Sequence, residues 1–148
     1  MRSFMRIVEN RIWDHGDVDL DYGKWSPQHG IDNFVRTEFT VGGCGYLALA
    51  IHEKTGWPIV AETSDGEIEH VWCLNPGGMA VDINGIHPDG FALTKYHDSV
   101  WGGNADQSLR GNVVPVDSKV LASENSDIDM MTWARQLVEL FPHHFGVS

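Results

Sequence analysis

The sequence is poor in cysteine and in basic residues. It has only 2 cysteines in 148 residues, too few for a disulfide scaffold or a four-ligand zinc site. No pair of histidines has the HExxH spacing or another ligand spacing, so we expect no metal and no cofactor. With 10 lysines and arginines against 21 acids, the formal net charge is -11. Such a charge repels phosphate backbones, so nucleic acid is not an expected partner.

Long hydrophobic runs are missing as well. No apolar stretch approaches the roughly 20 residues that a membrane-spanning helix needs. Arg2, Arg6 and Glu9 leave no room near the N-terminus for the apolar stretch of a signal peptide. The sequence therefore predicts a cytoplasmic protein that does not contact membranes.

The chain does contain enough apolar material for one packed core. Hydrophobic residues make up 42% of the composition, and a length of 148 residues is typical of one domain. We therefore predict a single domain over residues 1–148, with its most recognisable part at 42–85. A C-terminal helix is expected over about 127–141, where Ser126 would cap its start and Pro142 would end it.

A buried helix followed by strands indicates an α+β fold. The glycine cluster around Cys44 precedes residues 46–51, which are apolar on every side, as is typical of a helix enclosed by other elements. Gly56 fits the position just past the end of that helix. Three antiparallel strands are expected next, over 57–63, 67–74 and 79–84, with Asn75-Pro76-Gly77-Gly78 as a hairpin turn.

Cys44 is the first candidate for chemistry. It would lie at the N-terminus of the buried helix, where the helix dipole stabilises a thiolate. Gly43 and Gly45 flank it and would let a substrate approach closely, so we count both as substrate-binding candidates. A lone cysteine is more often a small apolar residue that fills space, so Cys44 alone does not establish a reaction.

The predicted hairpin adds His70 and Asp82. If its loop has three or five residues, His70 lies directly opposite Asp82, within reach of a hydrogen bond to the carboxylate. A loop of two or four residues would instead put the two on opposite faces, because side chains alternate along a strand. In the first register Trp72 shares the face of His70, while Cys73 turns into the core. A purely structural pair of His70 and Asp82 is the alternative.

The order of these features resembles a known family. The glycine and cysteine before the helix, Thr55-Gly56-Trp57-Pro58, His70-Val71-Trp72, the glycine turn and Val81-Asp82 look like the core of the transglutaminase-like branch of papain-like cysteine enzymes. The resemblance implies a papain-like fold, in which a central buried helix carries the cysteine at its N-terminus and packs on an antiparallel sheet. It also implies that Cys44 is the nucleophile, His70 the general base and acid, and Asp82 the residue that orients the imidazole.

The same resemblance implies a class of reaction. It points to a cysteine-dependent hydrolase or acyltransferase that passes through a thioester, such as a peptidase (thiol protease), amidase, deamidase or transglutaminase, with a protein or peptide substrate. Papain-type enzymes use a glutamine shortly before the cysteine as an oxyanion donor, but this chain has Thr37, Glu38 and Thr40 there. The N–H of Cys44 would supply one donor, and Gln28 and Trp25 are the candidates for the second.

Two secondary roles and a second function are also open. We expect Trp72 to lie beside the substrate, and His87 to act as the base if the hairpin has the other register. The alternative function is a non-catalytic, acidic protein-binding or inhibitory module on the same fold. In that case Cys44 would serve packing alone, and binding would weaken steeply with salt.

Overall fold

The computed structural model describes residues 30–40, 42–64, 67–88 and 112–147. In these ranges the chain is an α+β fold in which helices pack on an antiparallel sheet. No helix of the described ranges has the length and apolar character needed to cross a membrane. The elements are α1 (Asn33–Thr40), α2 (Cys44–Thr55), β1 (Ile59–Ser64), β2 (Glu67–Leu74), β3 (Ala80–Asp82), β4 (Gly85–His87), β5 (Asn112–Val116), α3 (Ser118–Glu124), α4 (Ile128–Leu140) and α5 (Pro142–Phe145). The strand order in the sheet is β4-β3-β2-β1-β5.

The predicted buried helix is α2. It packs between β2 on one side and α4 on the other, so its apolar residues are buried all round. Leu47 is 1% exposed and Ile51 is 0% exposed. The helix ends at Gly56, whose φ of 76° is left-handed and whose N–H bonds the His52 carbonyl at 2.8 Å. Glycine adopts this conformation without steric cost, which confirms the helix end expected from the sequence.

The β2–β3 hairpin has a three-residue loop. The N–H of Asn75 bonds the carbonyl of Met79 at 2.9 Å, and the Asn75 side chain accepts the N–H groups of Gly77 and Met79, each at 3.0 Å. This turn pairs Cys73 with Val81. Continued along the strands, that register puts Trp72 across from Asp82.

The expected direct opposition of His70 and Asp82 is wrong by two residues, although the loop has one of the expected lengths. Direct opposition needs a turn centred on Pro76, whereas the pairing of Cys73 with Val81 centres the turn on Gly77. Their common face is nevertheless confirmed, because a shift of two residues keeps a side chain on the same side of a strand. The expected faces of the neighbours are also confirmed. Cys73 is fully buried in the main core, whereas Trp72 packs on the other face with Val60 and Ala80.

The C-terminal helix α4, Ile128–Leu140, has the expected extent and ends before Pro142, but its cap differs from expectation. The predicted cap at Ser126 is wrong, because Asp127 caps α4 by accepting the N–H of Met130 at 3.1 Å. A carboxylate at this position also complements the positive end of the helix dipole. Beyond the end of α4 at Leu140, Pro142 does not simply stop the chain's helical path, since it is the first residue of α5.

Candidate active site

Cys44 is the first residue of α2 and is half-buried. The preceding residue, Gly43, occupies the N-cap position, and no side chain of the described ranges caps the helix there. The first N–H groups of a helix lack partners within the helix, and they carry the positive end of its dipole. The thiol of Cys44 therefore lies where negative charge is stabilised.

Close packing requires both glycines beside Cys44. A Cβ at Gly43 would collide with the backbone carbonyl of Glu38 in α1, and a Cβ at Gly45 would lie 2.7 Å from the Asn125 amide oxygen. The absence of side chains at these positions thus lets α1 and the segment after α3 approach the helix N-terminus. A direct contact of Gly43 and Gly45 with substrate stays a prediction.

His70 and Asp82 come together in the buried sheet. His70 is 1% exposed on β2, and its Nε2–H donates to Asp82 Oδ2 at 3.4 Å. Asp82 ends β3 and is 3% exposed. The His70 imidazole also interacts with the Cys44 side chain. The three predicted catalytic residues therefore lie in one cluster, with His70 between the other two.

This arrangement favours the charged forms of both His70 and Asp82. Burial alone would lower the pKa of His70, but the hydrogen bond to Asp82 and the interaction with the Cys44 side chain outweigh burial and raise it to about 9. Burial alone would raise the pKa of Asp82, but N–H donors from His70 and His87 hold it at about 2. At neutral pH the site therefore contains a His70 imidazolium beside an Asp82 carboxylate.

His87 forms a hydrogen bond with the second carboxylate oxygen of Asp82. Its Nε2–H donates to Asp82 Oδ1 at 2.8 Å, and the backbone N–H of Asn84 donates to the same oxygen, also at 2.8 Å. The tight β3–β4 connection returns the chain so that His87 pairs with Ala80. Gly85, with φ of 93°, was the available sequence signal for this turn. His87 is expected from the sequence only as a replacement base, and its contact with Asp82 is a finding of the structure.

Two further large side chains surround His70. Trp72 stacks on the imidazole and is 0% exposed, so its predicted contact with substrate stays a prediction. Glu62 lies directly opposite His70 on β1 and is also 0% exposed. The position of Glu62 beside His70 is not predicted from the sequence. It depends on the register of β1 and β2 and on a bulge between them, and neither leaves a local pattern in the sequence.

An open cavity of about 250 Å³ adjoins Cys44. This is slightly smaller than the roughly 300 Å³ of the smallest typical small-molecule sites, which suits a single amino-acid side chain. Its apolar walls come from β2 and α3, and its rim includes two carboxylates. The residues that line it include Cys44, Ile68, Glu69, Val71, Leu121, Glu124 and Asn125.

Other predicted participants have different outcomes. Gln28 and Trp25, the candidates for the second oxyanion donor, lie outside the described residues. Within the described ranges, no group of three or more His, Cys, Asp or Glu side chains could hold a metal ion.

Cys73, 0% exposed, donates its thiol to the Ala48 carbonyl at 3.3 Å, and burial raises the pKa of this thiol to about 12. The two cysteines therefore differ strongly in environment.

Comparisons with known proteins do not assign a family. No protein-family model matches the chain, and no curated protein or solved structure matches it significantly. The resemblance to the transglutaminase-like branch of papain-like enzymes therefore stays a prediction. The case for a function depends on the arrangement of Cys44, His70 and Asp82.

Proposed function

We propose that this protein is a papain-like cysteine hydrolase or acyltransferase that uses Cys44, His70 and Asp82 through a thioester. The observation that carries the proposal is the position of His70, which interacts with Cys44 and donates to Asp82 while it is almost fully buried. A cysteine, a histidine that moves its proton and an acid that orients the histidine form the activated nucleophile of acyl-transfer enzymes.

The charge distribution supports attack by a thiolate. Asp82 is ionised and accepts the Nε2–H of His70, which leaves Nδ1 of the imidazole as the atom that exchanges a proton with the thiol. In the reactive state the proton of the Cys44 thiol resides on His70, so that a thiolate lies beside the imidazolium. The unblocked N-terminus of α2 and the His70 cation both stabilise that thiolate.

The reaction then runs in two halves. The Cys44 thiolate attacks the carbonyl carbon of an amide and forms a C–S bond, while the carbonyl oxygen takes the negative charge. The Cys44 N–H at the helix N-terminus donates to this oxyanion. As the C–N bond breaks, the His70 imidazolium gives its proton to the leaving amine. Water or a second amine next attacks the thioester, His70 accepts its proton, and the C–S bond breaks to regenerate the Cys44 thiolate beside the His70 imidazolium.

The cavity beside Cys44 is where the substrate would bind. Its volume of about 250 Å³ accepts one side chain of a protein or peptide, and the thiol lies in its wall. Binding there would hold the scissile carbonyl close to the nucleophile, which lowers the entropic part of the barrier. Hydrolysis, deamidation and transamidation all use this arrangement and differ in the amine that leaves or enters.

The test is the pH dependence of Cys44 alkylation by iodoacetamide, followed by mass spectrometry of both cysteines. We expect Cys44 to react well below about pH 8, because only the thiolate is nucleophilic and His70 stabilises it. Cys73 in the same molecule is the internal control, since its buried thiol should not react. His70→Gln should slow Cys44 and leave Cys73 unchanged.

A second measurement separates a reactive thiol from a catalyst. Incubation with p-nitrophenyl acetate should release p-nitrophenolate in a burst as Cys44 becomes acetylated, and Cys44→Ala should abolish the burst. Equal inertness of Cys44 and Cys73 to iodoacetamide would exclude the catalytic role. That result would leave the non-catalytic binding module as the explanation of the acidic chain.

A further inference from the structure

Asp82 is shared by two histidines. Its Oδ2 accepts from His70 at 3.4 Å, and its Oδ1 accepts from His87 at 2.8 Å and from the Asn84 N–H at 2.8 Å. The two imidazoles and the carboxylate are all at least 90% buried from solvent, with His87 at 7% exposure. The shorter hydrogen bond goes to the histidine that is not in the proposed triad.

Both ring nitrogens of His87 face oxygen acceptors. Nε2 faces Asp82 Oδ1, and Nδ1 faces the Pro88 carbonyl oxygen at 3.3 Å. Carboxylate and carbonyl oxygens only accept, so the imidazolium, which has an N–H at both positions, satisfies both contacts at once. Burial alone would lower the pKa of His87, but the hydrogen bond and charge of Asp82 outweigh burial and raise it.

Within the described ranges, several packed elements contribute polar groups near this pair. His70 on β2 is the second histidine at Asp82, Cys44 on α2 interacts with His70, and the buried Glu62 on β1 lies opposite His70. From α5, His144 donates its Nε2–H to the Ile83 carbonyl at 2.7 Å. From α1, Arg36 donates to the Asn84 side-chain oxygen at 3.0 Å, and the backbone N–H of the same Asn84 donates to Asp82.

We propose that His87 is a positioning residue of the proposed Cys44-His70-Asp82 site, where as an imidazolium it holds Asp82 Oδ1 and so directs Oδ2 at His70. This inference rests on the proposed function. A carboxylate with one oxygen held by two donors cannot rotate freely, so the bond to His70 keeps its direction.

The link from His87 to His70 runs through one carboxylate. His87 holds Asp82 Oδ1 at 2.8 Å, and His70 is bonded to Oδ2 at 3.4 Å. Without the His87 donor, Oδ1 loses one of its two partners and the carboxylate can turn away from His70. Loss of the donor should therefore change the hydrogen bond between His70 and Asp82, and with it the reactivity of the site and the titration of His70.

The experiment compares His87→Gln with His87→Ala in the full chain. Glutamine keeps a side-chain N–H donor for Asp82 but carries no charge, whereas alanine removes both. His143→Gln on the exposed side of α5 is the matched control, and thermal unfolding checks that each variant is folded. The readouts are the rate of acetylation by p-nitrophenyl acetate against pH and the imidazole titration of His70 by NMR.

We expect His87→Ala to lower the acetylation rate about 10–100-fold, as loss of a hydrogen-bonded supporting group does in other sites. His87→Gln should restore most of that rate, because it keeps an N–H donor for Asp82 Oδ1. His87→Ala should also shift the His70 titration, because Asp82 is no longer held towards His70. His143→Gln should change neither readout. An unchanged rate and an unchanged His70 titration in folded His87→Ala would overturn the role of His87.

The NMR titration keeps this inference separate from the proposed function. If wild-type Cys44 is no more reactive than Cys73, the catalytic proposal fails on its own. A shifted His70 titration in His87→Ala would then still establish that His87 acts on His70 through Asp82. If wild-type Cys44 is reactive and folded His87→Ala matches wild type in both readouts, the proposed function stands and the positioning role is wrong.

Discussion

Trp72 stacks on the imidazole of His70, with ring centroids 5.6 Å apart and ring planes inclined by 30°. Both side chains are buried, at 0% and 1% exposure. Val60 and Ala80 pack against the indole and hold it in place. The stack restricts the plane of the imidazole while Asp82 restricts its direction, so two independent contacts position His70.

The first prediction concerns this stack. Trp72→Ala should lower the free energy of unfolding by about 3–5 kcal/mol, because it removes a fully buried aromatic side chain and leaves a cavity. Trp72→Phe should cost less and keep a ring beside His70. Urea unfolding measures both losses. A cost below about 1 kcal/mol for Trp72→Ala would mean that the indole does not pack as described.

Asp82→Asn tests the orienting role of the carboxylate. An asparagine could still accept at one position, but its NH₂ group would then oppose the N–H of His70 or of His87, and the imidazole would lose its preferred tautomer. Acetylation by p-nitrophenyl acetate should fall by up to about ten-thousand-fold, the loss known for the equivalent change in a serine-protease triad. A rate within a few-fold of wild type, in a folded variant, would contradict this role.

Acid should remove the stabilisation that Asp82 provides. Its pKa is about 2 in the folded protein against an ordinary 3.8, so the unfolded chain takes up the proton first as pH falls. The contribution is complete above 3.8 and is lost as pH falls through about 2. Linkage puts its size on the order of 2 kcal/mol. The measurement is the difference in unfolding free energy between wild type and Asp82→Asn, which should shrink across this interval. A difference that stays constant would argue against a depressed pKa.

His70 should have the opposite dependence. Its pKa is raised from 6.5 to about 9, so the folded protein holds this proton more tightly than the unfolded chain does. The stabilisation is complete below 6.5 and is lost as pH rises through about 9. Chemical denaturation of wild type and His70→Gln over this alkaline range should show the gap between them closing. A gap that widens with pH would reverse the assignment of the imidazolium.

Gly43 should not tolerate a side chain. In Gly43→Ala the new Cβ meets the Glu38 backbone carbonyl, which cannot move without displacing the end of α1. We expect a loss of about 1–3 kcal/mol, as is usual for overpacking. Gly77→Ala is the matched control, because its Cβ would lie 3.4 Å from the Asn75 side-chain oxygen, an ordinary contact. Equal stability of the two variants would show that α1 and α2 are less tightly packed.

Much of the fold was predictable where the signal is local. The apolar run before Gly56 identified α2, and the run of 67–74 matches β2 because turn residues bound it on both sides. The common face of His70 and Asp82 followed from the alternation of side chains once an odd loop was assumed. The type of the loop did not follow, since Asn75 binds two backbone N–H groups and moves the register by two residues.

The sequence by itself determined the chemistry that the site has available. It places a cysteine after glycines at the start of a buried helix and places His70, Asp82 and His87 on the strands that follow. Only the tertiary structure decided which of these side chains meet, and that Asp82 serves two histidines at once. The reason is physical: periodicity records how a segment buries its own face, whereas the contacts of the site depend on register, on tight turns and on packing between distant segments.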